Sequence, residues 1–179
     1  NAGSNLILSV AYRLASSDGT SQVLSLSDGG DFQQSWRAME ISGIDTSDPL
    51  DVSGTTVYDS FVNNNETFDV PGITTTVDDC LLVIVVTNDG TTATGFSASG
   101  FTLQTPIGDA GTNARKCQVL TGAAGSAGAT GNKTVTLTGG GFATNLVARM
   151  FAIAPTGGGG PTEVGVAGAL SFSGGVQSK

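Results

Sequence analysis

Several residue types on which catalytic and binding sites depend are scarce or missing in this sequence. The 179 residues include no histidine and two cysteines, and seven Lys and Arg stand against fifteen Asp and Glu. Without histidine the chain cannot build a Ser-His-Asp or Cys-His nucleophile pair, nor the usual histidine-containing zinc sites. The net charge of −8 argues against nucleic acid or an anionic membrane as a partner, because both select a basic surface. We therefore expect neither an enzyme nor a cofactor-binding protein.

Long hydrophobic runs are also missing. The longest, CLLVIVV at residues 80–86, is far shorter than the roughly 20 apolar residues that cross a bilayer as a helix. The chain opens at Asn1 without a Met and without the charged, apolar and cleavage regions of a signal peptide. We expect either a processed product or a segment of a longer protein.

Glycine and short runs of Thr, Ser and Val are abundant. The 27 glycines follow no Gly-X-Y period, and hydrophobic content of 39% with 12% charged residues is enough to fold a core. Asp-Gly and Gly-Gly turns separate runs of strand length, as in hairpins. The sequence predicts an all-β protein, an antiparallel β-sandwich of jelly-roll or Ig-like type.

The first strand candidate shows the period-two alternation of a half-buried strand. Its apolar residues occupy one face: Leu6, Leu8, Val10, Tyr12 and Leu14. The stretch SWRAMEIS, residues 35–42, is predicted as strand rather than helix because it is short and flanked by turn residues.

Two segments of the sequence resemble one another. VLSLSDGGDFQQSWRAMEI, residues 23–41, and KTVTLTGGGFATNLVARMFAI, residues 133–153, both run from an alternating strand through a Gly-Gly turn and a Phe into a more apolar strand. Coincidence among similar β sequences is one explanation, and an internal repeat of roughly 110 residues is the other.

The repeat interpretation divides the chain into one complete copy and one partial copy. Residues 1–45 are the closing half of a sandwich, residues 46–69 a connecting strand segment, residues 70–155 a complete sandwich, residues 156–161 a Gly-rich linker, and residues 162–179 a strand-forming tail. A half-sandwich exposes unpaired edges and an apolar face. Its missing strands would come from upstream sequence, from residues 54–70 folding back, or from a neighbouring subunit.

Short motifs between the strands resemble a known family. They are WRAMEISGID (36–45), NDG (88–90), GFTL (100–103), TGA (121–123), TVTL (134–137) and IAP (153–155). In this order they resemble β-sandwich repeat modules in the tail, fibre and head-surface proteins of tailed bacteriophages. Leu146 departs from the pattern, since it stands where the second copy would repeat Trp36.

That resemblance implies a structural protein of a phage virion whose partners are copies of itself and other virion or fibre subunits. The alternative is a subunit of an extracellular, cell-surface filament or pilus-like fibre assembled by strand donation. A carbohydrate-binding adhesin module, with a host-surface glycan as partner, is a third hypothesis. For most of the aromatic residues, a set made up of Trp36, Tyr12, Tyr58 and the phenylalanines, core packing is favoured over a sugar-binding platform.

The acidic residues and the cysteines each carry two interpretations. Asp45, Asp48 and Asp51 could hold calcium, but a turn and linker is favoured because the spacing and glycine of an EF-hand loop are missing. Cys80 and Cys117 are a candidate disulfide or two buried thiols.

The C-terminal tail is a candidate subunit contact. Val164, Val166, Leu170 and Phe172 alternate with small or polar residues, so we expect them to leave the sandwich and make contacts elsewhere. A disordered tail is the alternative.

Overall fold

The computed structural model describes residues 8–12, 14, 36–37, 39–62, 66–88, 95–104, 109–110, 116–138, 143–157 and 162–163. Every regular element in these ranges is a β-strand. The strands are β1 (Trp36–Arg37), β2 (Ile41–Ser42), β3 (Leu50–Ser53), β4 (Val57–Val62), β5 (Thr67–Val70), β6 (Thr74–Thr75), β7 (Leu81–Asn88), β8 (Gly95–Ala98), β9 (Thr102–Leu103), β10 (Asp109–Ala110), β11 (Lys116–Ala123), β12 (Gly128–Ala129), β13 (Lys133–Thr138), β14 (Ala143–Ile153) and β15 (Thr162–Glu163). Within those ranges no helix has the length and apolar character that a membrane crossing would need.

A six-stranded antiparallel sheet forms the larger layer. Its order is β3, β14, β7, β11 and β9, and β4 joins β3 on the same side of β14. Strand β7 lies in the middle, paired along its whole length with β11 on one side and β14 on the other. All eight residues of β7 are buried. An uninterrupted apolar run is what a strand covered on both faces requires, and this explains the sequence of residues 81–86.

A three-stranded sheet of order β5, β13 and β8 covers one face of the larger sheet. We call this covered side of the six-stranded sheet its inner face. Strand β5 alternates exposed and buried residues, as a half-covered strand should. Phe68 and Phe96 flank β13 from its two sides, with ring centroids 6.4 Å apart in an edge-to-face arrangement. The two sheets together form a β-sandwich, which confirms the prediction of an all-β antiparallel sandwich; its jelly-roll or Ig-like type stays a prediction.

The core lies between these sheets. Its buried members are Phe68, Val70, Ile73, Cys80, Leu82, Ile84, Val86, Phe96, Leu120, Val135, Leu137, Leu146, Ala148, Met150 and Ala152. Glycine allows the close approach of two backbones at one edge: a Cβ added to Gly72 would lie 2.6 Å from the carbonyl carbon of Gly131. A larger residue at position 72 would force the two chains apart.

The opposite side of the six-stranded sheet, its outer face, carries a second apolar cluster. Its buried members are Leu81, Val83, Val85, Cys117 and Phe151. Three half-buried side chains from outside the sheet, Leu8, Met39 and Ile41, pack against it; we call these three residues the cover. These three residues therefore lie against the sandwich.

Short ladders join the segment before β3 to the segment after β14. Strand β2 pairs with β15, so Ser42 lies opposite Thr162. Closer to the sandwich, Ile44 bridges Pro155, and the amide of Asp45 donates to the carbonyl of Ala154 at 2.9 Å. Two further short pairs, β1 with β10 and β6 with β12, lie outside the main sheets.

Residues 46–69 take a different place from the one expected. Instead of only connecting two units, they supply β3 and β4 to the edge of the six-stranded sheet and β5 to the three-stranded sheet. The partners are β14 and β13, so the sheets of the sandwich extend upstream of residue 70. The proposed repeat stays a prediction, because residues 23–35 and 139–142 lie outside the described residues.

Candidate assembly surface

The apolar residues that the fold leaves exposed are the features most relevant to function. In the described ranges the large ones are Val10, Tyr12, Leu14, Tyr58, Val77 and Leu103. Three of them follow one another at every second position, and we call Val10, Tyr12 and Leu14 the N-terminal strip. Leu8, in the same phase, packs on the outer face, so the strip begins where the chain leaves the cover.

The expectation of core packing for the tyrosines is wrong. Tyr12 is 66% exposed and Tyr58 is 57% exposed. Tyr58 belongs to the edge strand β4, opposite Val147 on the outer face, and its ring lies on the surface. Tyr12 belongs to a segment outside every strand pair of the described chain. An apolar residue at every second position therefore does not distinguish a segment whose apolar side is buried from one whose apolar side is exposed.

The structure separates the two cysteines instead of joining them. Both are buried and no disulfide links them. Cys80 belongs to the core between the sheets, whereas Cys117 belongs to the cluster on the outer face. Cys80 directly precedes Leu81, the first residue of β7. Cys117 lies opposite Thr87, near the other end of that strand. In this fold the two side chains are too far apart to meet the geometry of a bridge.

Cys80 lies in a small polar network that the sequence did not indicate. Its thiol donates to Asp51 at 3.6 Å, and the amide of Thr76 donates to the same carboxylate at 2.9 Å. The Thr76 hydroxyl also contacts Asp51. Burial raises the pKa of the Cys80 thiol to about 11, and the negative charge of Asp51 acts in the same direction. The thiol is therefore protonated at neutral pH and a poor nucleophile.

Asp45 caps its own turn. Its Oδ1 accepts from the amide of Ser47 at 2.8 Å and from the Ser47 hydroxyl at 2.6 Å. These two bonds hold the pKa of the Asp45 carboxyl below its usual value. This is the local hydrogen bonding typical of Asp in turns, and it agrees with the turn interpretation of residues 45–51.

A surface depression of about 490 Å³ lies beside this turn. Its lining includes the carboxylates of Asp45, Asp78 and Asp79 together with Pro155 and Gly157. Asp78 is already used locally, since its Oδ1 accepts from the amide of Ala127 at 2.7 Å. Across the described ranges, no three Asp, Glu, Cys or His side chains are grouped to hold a metal ion. The depression is acidic, and the carboxylates of Asp45 and Asp78 accept hydrogen bonds in the turns that form it.

Asn88 is a buried polar residue that sequence reasoning missed. It ends β7 on the inner face, with Lys116 and Leu146 opposite it on the two neighbouring strands. It is fully buried, and among the described residues neither its Oδ1 nor its Nδ2 has a hydrogen-bond partner. The motif Asn-Asp-Gly at residues 88–90 is typical of a turn, although the strand continues through Asn88.

The predicted tail contact stays a prediction. Its four residues, Val164, Val166, Leu170 and Phe172, lie outside the described residues. Only Thr162–Glu163 is described near them, as β15. Comparison of the chain with protein-family models, with curated proteins and with solved structures gives no match. The surface of the sandwich and the motifs of the sequence are therefore the features that bear on function.

Proposed function

We propose that this chain is a non-enzymatic structural protein of a phage virion, in the tail, in a fibre or on the capsid surface, and that it acts through subunit assembly. The N-terminal strip carries the proposal, because an alternating apolar segment with its side chains half exposed favours association. The resemblance of the turn motifs to phage β-sandwich modules supports the virion as its location.

The distribution of polar groups agrees with a building block. Four of the described acidic side chains, Asp45, Asp51, Asp69 and Asp78, accept hydrogen bonds from backbone amides, hydroxyls or a thiol of other segments or of their own turn. Those hydrogen bonds stabilise loops, which is a structural role. A protein of this kind offers edges and apolar side chains to a neighbour.

Detection of the chain in purified particles tests the proposal. Trypsin cleavage after Lys133 and Arg149 releases residues 134–149, a peptide that mass spectrometry can follow. We expect the protein to sediment with virions in a density gradient, so that the peptide is detected in the virion fractions at a constant ratio to peptides of the major capsid protein. Its absence from the particles would refute the virion assignment.

The N-terminal strip also favours the second candidate, an extracellular filament or pilus-like fibre assembled by strand donation. The same peptide would then be found in filaments sheared from the cell surface and not in virions. A glycan array on the isolated protein tests the third candidate, an adhesin module.

A further inference from the structure

We infer that a clasp between residues 43–45 and residues 154–156 holds Met39 and Ile41 on the outer face, so that opening the clasp uncovers the apolar cluster there. The clasp joins the segment that precedes β3 to the segment that follows β14. Such a device operates within one chain and does not depend on the virion assignment.

The apolar cluster of the outer face needs side chains from outside the sheet. Its five buried members are between 7% and 9% exposed, and Met39 and Ile41 pack against them. Ile41 belongs to β2, whose described partner is β15 rather than a strand of the six-stranded sheet. The backbone ladder of the large sheet therefore does not hold this part of the cover, which must be attached in another way.

Three hydrogen bonds supply the attachment. The amide of Asp45 donates to the carbonyl of Ala154 at 2.9 Å, and the amide of Thr156 donates to the carbonyl of Gly43 at 2.9 Å. The Thr156 hydroxyl donates to the same Gly43 carbonyl at 3.3 Å. Residue 43 follows directly after β2, so these bonds act one residue away from the strand that carries Ile41.

Ile44 and Pro155 lie opposite each other at the centre of the clasp. The two amide bonds flank them, which makes them a non-hydrogen-bonded antiparallel pair. Proline fits such a position because its missing N–H is not needed there. The clasp thus extends the antiparallel pairing of β3 with β14 by one short step beyond the Asp45 turn.

Glycine allows each of the two segments to turn at the clasp. Gly43 has a φ of 70°, a left-handed conformation that glycine adopts without strain. Gly157 follows the clasp on the other segment, and no heavy atom lies within 4 Å of the position that a Cβ would take there. The clasp can therefore part at these glycines while β3 and β14 stay paired.

The pairing of β2 with β15 is a further described attachment of this part of the cover. Ser42 lies opposite Thr162 in that pair. It joins the same two segments as the clasp, so it strengthens the clasp and does not replace it. Closure of the outer face is thus coupled to the position of the segment that follows β14, and displacement of residues 154–156 releases Met39 and Ile41.

Timed iodoacetamide labelling of the full chain tests this coupling, because Cys117 belongs to the outer-face cluster and Cys80 to the core between the sheets. Thr156→Pro removes both the amide and the hydroxyl that donate to Gly43. It should accelerate the labelling of Cys117 about tenfold and leave Cys80 unchanged. Thr156→Val keeps the amide and should have a smaller effect.

A matched control removes a comparable amide bond elsewhere. The amide of Thr130 donates to the carbonyl of Ile73 at 2.8 Å, and Ile73 belongs to the core between the sheets. Thr130→Pro should therefore leave the labelling of Cys117 unchanged. Circular dichroism checks that each variant remains folded.

A disulfide across the clasp gives a second readout. Ile44→Cys with Pro155→Cys places two cysteines at a non-hydrogen-bonded pair, whose short separation suits a bridge. The oxidised variant should label at Cys117 at least about tenfold more slowly than a control with Ile44→Ser and Pro155→Ser. A locked variant that labels as fast as this control would overturn the inference, and so would unchanged labelling in Thr156→Pro. Equal acceleration of Cys80 and Cys117 in Thr156→Pro would also overturn it, because the whole fold would then be opening.

Discussion

The two faces of the six-stranded sheet are buried in different ways. On the inner face a second sheet supplies the cover, and Leu82 is 2% exposed. On the outer face, the sheet is covered only by single side chains, those of the cover and those of half-buried residues of the sheet itself. The neighbouring Leu81 is 7% exposed. A layer held by its own ladder of backbone hydrogen bonds excludes water more completely than separate side chains do. We therefore expect the inner face to carry most of the stability and the outer face to open first.

The largest expected effect compares two adjacent leucines of β7. Leu82→Ala should lower the free energy of unfolding by about 4 kcal/mol, because the tightly packed inner layer cannot collapse around the cavity. Leu81→Ala should cost about 2 kcal/mol, since the cover can settle into the space. Chemical denaturation of both variants gives the two values. Equal losses would show that the two faces are packed equally well.

The uninterrupted apolar run of β7 made its burial predictable from the sequence. That run and the alternating strands that flank it predict a core within residues 70–155 that includes Phe142 and the eight residues named next; the structure confirms the burial of the eight, and Phe142 lies outside the described residues. Those confirmed are Leu82, Val83, Ile84, Val85, Val135, Leu137, Met150 and Phe151. Local pattern identifies a doubly covered strand because such a strand has no polar side to show.

The partners of residues 46–69 could not be predicted in the same way. Pairing of β3 and β4 with β14 joins segments far apart in the chain, and nothing in their alternation selects that partner. The exposure of Tyr12 and the burial of Asn88 were missed for a related reason. Both depend on what lies across from the residue in space, which the residue's own neighbours in sequence do not encode.

The cover should control access to one cysteine and not the other. Met39 and Ile41 pack in the same cluster as Cys117, whereas Cys80 lies in the core between the sheets. In the double variant Met39→Ala with Ile41→Ala, alkylation of Cys117 should accelerate about tenfold, the effect of roughly 1.4 kcal/mol on local opening. Mass spectrometry after timed iodoacetamide labelling measures both sites. Acceleration at Cys80 by the same factor would mean that the two faces open together.

Asn88 is a buried polar residue on the otherwise apolar inner face, and replacing it should stabilise the fold. Its buried amide has no hydrogen-bond partner in the described part of the chain, and an unpaired group of this kind costs about 1–3 kcal/mol. Asn88→Val should raise the free energy of unfolding by about 1 kcal/mol. The control is Asn132→Val, at an exposed residue whose Oδ1 accepts from Gly72, which should not stabilise the fold. A loss of stability in Asn88→Val would reveal that the amide is needed.

Alkaline pH should act on the inner face through Cys80. Its pKa is raised from 9.0 to about 11, mainly by burial and then by Asp51. Because the folded state holds the proton more tightly, this stabilising contribution is complete below pH 9 and is lost as the pH rises through about 11. Cys80→Ala should therefore flatten the fall of stability between these values, and Cys117→Ala serves as the control on the outer face. An unchanged slope in Cys80→Ala would show that other groups cause the loss.

The smallest expected effect lies at the joint between the cover and the sheet. The turn of Asp45 precedes β3, and its carboxylate accepts from the Ser47 hydroxyl and amide. The Ser47 hydroxyl is the main cause of the lowered pKa of Asp45, so Ser47→Ala should raise that pKa toward the usual 3.8. A carboxyl whose pKa is lower in the folded state than in the unfolded state stabilises the fold at pH values above its unfolded pKa, and this stabilisation is lost as the pH falls through its folded pKa. The wild type should therefore keep its turn to lower pH than the variant. Carboxyl chemical shifts followed by NMR from pH 6 downward measure the difference, with Ser53→Ala as the control. If the outer face is the part that opens first, the shifts of Met39 and Ile41 should follow the titration of Asp45, while those of Leu82 on the inner face stay constant.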